Sequence, residues 1–239
     1  MSNPRRSLSV VIPVYRERER LAPTVRAIQR FLTGGPYDGE IVVVDDGSAD
    51  GTFDVAQALK SECPDLRILT FPVNHGKGFA VREGVLASSR EVVLFTDADL
   101  STPIEDVDRL WPSLDAGCDV VIASRHLPGS RELVRQSWRR RVMGRIFNGL
   151  LWLLGVRGFH DTQCGFKLFR RDAARRLFEP LQTIGFAFDV EILLQARKLG
   201  LRIEEVPVRW TEGAGSHVRP VRDSLKMARE VLRMRPWRR

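Results

Sequence analysis

The chain has 239 residues, of which 43% are hydrophobic, a length and apolar fraction that fit one α/β catalytic domain with its own core. The three cysteines, Cys63, Cys118 and Cys164, are odd in number and far apart, which argues against a disulfide framework and a cysteine zinc site and fits a reducing cytosol. The formal charge of +8 is concentrated in two late segments: residues 125–145 and residues 219–239 each carry a net +6 and the remainder sums to −4, with no nucleic-acid motif in either.

From the start, Leu8 to Val14 is apolar but broken by Pro13, so it makes a poor signal peptide and reads as a first strand. Further Val- and Ile-rich runs follow at Ile41–Val44, Leu66–Phe71, Val92–Thr96 and Val120–Ala123. Helical spacing fills the gaps at Leu21–Leu32, Thr52–Leu59, Gly78–Ala87 and Pro103–Leu114. This alternation predicts a doubly wound, mostly parallel sheet. Thr102 as N-cap, Pro103 as first helical residue and Glu105 as capping-box partner start the fourth helix immediately after Asp99. Beyond it come an arginine-rich stretch, an apolar run from Ile146 to Val156, a loop around Asp161–Lys167, a helix near Asp189–Leu199 and a strand at Leu201–Val208. With no repeat and no linker, a second independently folding domain is not expected. The expected division is a catalytic domain over 1–218 and a basic amphipathic helix over 219–239, with Val221, Leu225, Ala228 and Leu232 on its apolar face.

Thr96-Asp97-Ala98-Asp99 ends the fourth strand, at the edge where open α/β sheets bind ligands. Two carboxylates one residue apart can face a single oxygen-ligated cation, Mg²⁺ or Mn²⁺, that bridges a diphosphate. Taken alone they equally suit a solvated turn, or the phosphatase type in which the first Asp attacks phosphate. The second strand ends in Val44-Asp45-Asp46-Gly47-Ser48, carboxylates where a dinucleotide fold keeps its glycine loop. Acidic groups there repel phosphate and suit a base or ribose, which makes Asp46 the candidate for reading a nucleoside. Asn74-His75-Gly76-Lys77-Gly78 opens a helix, where backbone N–H groups and Lys77 can meet an anion, although turn chemistry accounts for the glycines equally well.

In order, Pro13-Val14-Tyr15 with Glu17, Val44 to Ser48, Gly76-Lys77-Gly78 and Asp97-Ala98-Asp99 resemble glycosyltransferase family 2 of the GT-A fold. Asp161 to Lys167, Phe186 to Glu191, Val206 to Trp210 and Gly215-Ser216 are similar to its dolichyl-phosphate β-glucosyltransferase branch. The resemblance spans roughly Leu8 to Val231. It implies a Rossmann-like three-layer sandwich and an inverting transfer of a sugar, glucose from UDP-glucose before GDP-mannose or another UDP-sugar, onto a polyprenyl or dolichyl phosphate.

The same resemblance implies roles for individual residues. Pro13, Val14, Tyr15, Glu17, Val44 and Asp46 would line the nucleoside pocket with Lys77 nearby, Asp97 and Ala98 would touch the donor, and Asp97 with Asp99 would hold the metal. Related mannosyl-phosphate synthases carry a metal-binding Gln where Ser101 stands here, and the branch usually has Lys where this chain has His217. Gln163 and Asp189 fall within matched motifs, Asp189 at a helix start where a carboxylate also serves the dipole. A lipid phosphate is already ionised, so no general base is required; Arg125, Arg140 and His217 are the expected contacts to it. The run 146–156 has about eleven residues, short of the ~20 that span a bilayer. With six arginines between 131 and 145 before it, segment 131–158 is expected in the interface of a cytoplasmic membrane face, or as a buried helix. A non-catalytic basic membrane adaptor is the remaining alternative.

Overall fold

A computed structural model describes residues 5–132, 149, 156–211 and 220–234. Seven strands form one sheet: β1 (Arg6–Val14), β2 (Tyr37–Asp46), β3 (Leu66–Phe71), β4 (Val92–Thr96), β5 (Val120–Ser124), β7 (Phe166–Arg170) and β8 (Ile203–Pro207). A parallel pair of two-residue strands, β6 (Arg131–Glu132) and β9 (Arg209–Trp210), lies apart. The order in the large sheet is β3-β2-β1-β4-β7-β5-β8. All pairings are parallel except those of β7, which runs antiparallel to both β4 and β5.

Helices cover both faces because the inner strands β1, β2, β4 and β5 are buried on both sides. Leu8, Val10, Ile12 and Val14 of β1 face α1 (Arg18–Gly34), α2 (Thr52–Leu59) and α4 (Val107–Asp115), whose Leu21, Val25, Ala56, Leu110 and Trp111 join the same core. Val11 points the other way, with Phe95 and Phe169, toward α3 (Lys77–Ala87), α5 (Arg171–Phe178) and α6 (Phe188–Lys198). Three layers result, as expected. After β3 the chain returns to place β4 on the far side of β1, so the carboxyl ends of β1 and β4 flank the topological switch of the sheet.

Three local readings are corrected. Pro103 is extended (φ −57°, ψ 140°); a 3₁₀ turn at Ile104–Asp106 precedes α4, and no side chain caps it. Tertiary bonds override the capping box: the fully buried Asp106 accepts from Arg209 N (2.7 Å) and Nε (2.7 Å), and Thr102 Oγ1 lies against Cys164 Sγ. Second, the expected loop at Asp161–Lys167 turns into β7 at Phe166, and α5 follows it unforeseen. Third, α7 (Pro220–Met234) buries Met227 and Val231 against Val156, Ala187 and Val190, while Leu232 is exposed, so its inward face is displaced from the predicted one. Of the apolar run, residues 146–148 and 150–155 lie outside the described residues.

Candidate active site

The carboxyl ends of β1, β2 and β4 meet along the register Pro13↔Val44, Val14↔Asp45 and Val11↔Phe95. Arg16 turns the chain away from β1 with positive φ (59°), and its N–H donates to Ser48 Oγ (2.8 Å) while Glu17 N donates to Thr52 Oγ1 (3.0 Å). These two bonds tie the loop after β1 to the loop after β2. Tyr15 is exposed, with the Arg16 guanidinium 5.2 Å from its ring centre, and Glu17 pairs with Arg20. Pro13 is half-buried, whereas the Val14, Val44 and Ala98 side chains belong to the core. Any pocket lining from those three is therefore backbone.

Asp46 is buried and committed. Its carboxylate accepts from Asn74 Nδ2 (3.0 Å), His75 N (3.0 Å) and Gly76 N (2.7 Å), with His75 Nδ1 at 3.3 Å. Sequence reasoning aimed Asp46 at a nucleoside; its visible work is to pin the turn that delivers Lys77. Gly76 has φ 123°, and both it and Gly78 pack so tightly on the Thr183–Gly185 backbone that a Cβ would collide. The glycines of this motif thus serve close approach between α3 and the turn before α6.

Lys77 Nζ stands 2.6 Å from Asp97 Oδ1, with the two side chains 22% and 35% exposed. Burial pulls the Lys77 ammonium down, but Asp97 and then Asp189 outweigh it and its pKa lies above the ordinary value. Asp97 leans over Gly165, where any Cβ would run into its carboxylate. Asp99 Oδ1 accepts from Ser101 N (3.0 Å), and Ser101 O accepts from Thr211 N (2.8 Å), joining the loop after β4 to the residue that follows β9.

On the β7 side the acids are paired. Arg125 donates through Nε (2.7 Å), Nη2 (2.9 Å) and its backbone N (3.0 Å) to Asp161, and its guanidinium lies 5.6 Å from the Trp210 ring centre. Burial would raise the Asp161 pKa, but Arg125 wins and holds it at about 2. Gln163 N donates to Asp161, and Gln163 Nε2 is buried without a partner among the described residues. Lys167 is 0% exposed, donates to Asp189 Oδ1 (2.5 Å) and Cys164 O (2.6 Å), and lies over the Phe95 ring. Burial pushes the Asp189 carboxyl up against the pull of Lys167 and Lys77. Asp189 stands in the first turn of α6, as expected, and is a buried ion-pair partner there. Lys167 was overlooked as a site neighbour because a lysine in a β-run gives no sign of what it faces. Arg140 and His217 lie outside the described residues.

Residues 9–178, well over half the chain, match the model of the glycosyl transferase family 2. The chain belongs to this family. The transferase is 38% identical to the dolichyl-phosphate β-glucosyltransferase of Dictyostelium discoideum, over 95% of this chain and 73% of that one. It is 39% identical to the one from Drosophila melanogaster, over 96% and 74%. Its fold is similar to glucosyl-3-phosphoglycerate synthase from Mycobacterium tuberculosis, solved with Mn²⁺, UDP and phosphoglyceric acid: TM-score 0.71, 22% identity, 97% of this chain and 78% of that one. Family membership removes the phosphatase and adaptor readings of Asp97 and Asp99.

Proposed function

We propose that this transferase moves glucose from UDP-glucose to a polyprenyl phosphate of the dolichyl type, with inversion at the anomeric carbon. What carries the sugar and the acceptor is its kinship with dolichyl-phosphate β-glucosyltransferases, at 36–39% identity over 95–98% of this chain for the relatives from Dictyostelium, Drosophila and Homo sapiens. The chemistry agrees. A phosphate oxygen of the acceptor is already ionised, so no side chain has to take a proton from it. Asp189 is held by Lys167 and stays out of proton transfer. The acceptor oxygen attacks the anomeric carbon in line as the bond to the nucleoside diphosphate breaks, turning an α-linked donor into a β-linked lipid phosphate.

Among the described residues no group of three or more His, Cys, Asp or Glu side chains is arranged to hold a metal ion. Two carboxylates at a strand end are nevertheless the usual protein share for Mg²⁺ or Mn²⁺, which take their other oxygens from substrate phosphates and water. The pair fits such an ion, and Asp97 and Asp99 are the proposed ligands, with Ser101 beside them. The bound ion would supply charge neutralisation for the departing diphosphate. Tyr15, Glu17 and the backbone of Pro13, Val14, Val44 and Ala98 are proposed to face the donor. Asp46 acts there through the turn it pins. Arg125, whose charge reaches Asp97, is proposed for the acceptor phosphate together with Arg140 and His217. The unpartnered Gln163 Nε2 is a further donor suited to a phosphate oxygen.

No helix among the described residues is long and apolar enough to cross a membrane. Peripheral attachment at a cytoplasmic membrane face through the basic segments 131–158 and 219–239, the latter following a catalytic domain over 1–218, belongs to the same proposal. Incubation with polyprenyl phosphate and a panel of nucleotide-sugars, with mass spectrometry of the lipid fraction, tests it. A hexose gained from UDP-glucose is expected; a lipid left unmodified by every donor ends the acceptor assignment. Asp99→Ala is expected to abolish transfer while the protein stays folded by circular dichroism, and wild-type activity there would end the metal assignment.

A further inference from the structure

Asp97 already has a counterion. Lys77 Nζ at 2.6 Å from Asp97 Oδ1 stands at the distance of a short, charge-assisted hydrogen bond, on the carboxylate proposed to hold a divalent cation. The lysine is the first residue of α3, and the turn before it is fastened by Asp46 through Asn74, His75 and Gly76. Its backbone is therefore fixed, while four methylenes leave the ammonium free to swing. Asp97 is fixed from the other side, packed on Gly165 at the start of β7. An ammonium and a divalent ion repel, so each weakens the other's hold on the same carboxylate.

We propose that Lys77 is a displaceable counterion: it neutralises Asp97 while no donor is bound and transfers to the donor's diphosphate on arrival, releasing Asp97 for the divalent ion. The inference rests on the proposed reading of Asp97 and Asp99 as metal ligands. The surroundings make the exchange cheap. When Lys77 leaves, Asp189 keeps Lys167 at 2.5 Å, so no buried carboxylate is stranded. A diphosphate has the charge to draw the ammonium away and oxygens to complete the metal's shell. The consequence is thermodynamic coupling: metal alone binds weakly, nucleotide strengthens it, and by linkage metal strengthens nucleotide to the same degree.

The test is titration of Mn²⁺ into the full chain, read by the electron paramagnetic resonance of unbound Mn²⁺, with and without UDP and without any turnover. Lys77→Gln is expected to bind Mn²⁺ in the absence of nucleotide at least about five-fold tighter than wild type, the lower end of typical couplings, and to show a smaller tightening by UDP. Lys77→Arg keeps the charge and is expected to bind metal alone as weakly as wild type. Lys77→Met replaces the glutamine variant should the latter fail to fold. Metal-only affinity and UDP coupling unchanged in the neutral variant, with Asp99→Ala still abolishing Mn²⁺ binding, would overturn the counterion role and leave the metal site standing. Mn²⁺ binding that survives Asp99→Ala would remove the metal reading and this inference with it.

Discussion

On the β1–β4 side of the sheet Asp97 and Asp99 end a strand and stay partly open to solvent, whereas on the β7 side Asp161 and Asp189 are buried and each holds a cation fixed by packing. The same residue type therefore does two jobs a few residues apart in space. An accessible carboxylate with a partly exposed lysine is available to a ligand; a buried one with a packed partner organises the floor beneath it. Exposure, and not charge, separates the two.

That contrast is open to attack from several sides. The largest effect is expected at Lys167→Met, which strands Asp189 in the core and should cost about 3–5 kcal/mol in denaturant unfolding. Adding Asp189→Leu should recover most of it; a single variant costing less than about 1 kcal/mol would show the pair to be dispensable. Next, Gly165→Ala should push Asp97 aside and lower sugar transfer by about 100-fold with little change in unfolding midpoint, because a displacement of about 1 Å at a reacting centre carries that penalty. Unchanged kcat/KM would mean that Asp97 needs no exact seat.

Acid unfolding probes Asp161. Its folded pKa, about 2, lies below the ordinary 3.8, so its contribution is complete above about pH 4 and is lost as pH falls from there toward 2. Two units correspond to about 2–3 kcal/mol. Asp161→Asn should flatten that limb of the stability curve, and an identical slope would remove the ion pair from the account. At the small end, Glu62→Gln breaks the half-exposed Arg26–Glu62 pair, 2.7 Å in length, and should leave the midpoint unchanged within error, since solvent screens an exposed pair and its two long side chains lose freedom to make it.

The parallel half of this fold was legible from residue order. Leu66–Phe71, Val92–Thr96 and Thr52–Leu59 form their elements at the predicted boundaries: Val92–Thr96 is buried on both faces and so apolar throughout, and the other two carry the apolar spacing of a strand and a helix. Asp97 and Asp99 were legible for the same reason: they follow such a run. The antiparallel β7 was hidden, since Phe166–Arg170 carries Lys167 and ends in Arg170, and two charged residues in five speak against a central strand until the buried partner of Lys167 is known. Thr102, Pro103 and Glu105 misled in the opposite sense. Their local signals describe a helix start, but Thr102 lies against Cys164, and Arg209 claims the neighbouring Asp106 carboxylate from 103 positions away. The Asp46 turn and the Gly165 seat likewise depend on neighbours distant along the chain.

The antiparallel strand also bears on how the protein is made. β4 has β1 on one side, and its other edge is completed only by β7, which also joins β5 to the sheet. A ribosome releasing this chain from the N-terminus has exported every strand of the β3-β2-β1-β4 block while β7 is still about 70 residues from synthesis. Through that interval the nascent chain presents a fully apolar, unpaired β4 edge, the kind of edge that recruits other strands. The carboxylates proposed to hold the metal thus follow directly on a strand whose second neighbour is made late, and the emergence of residues 166–170 is the point at which that edge of a translating chain is covered.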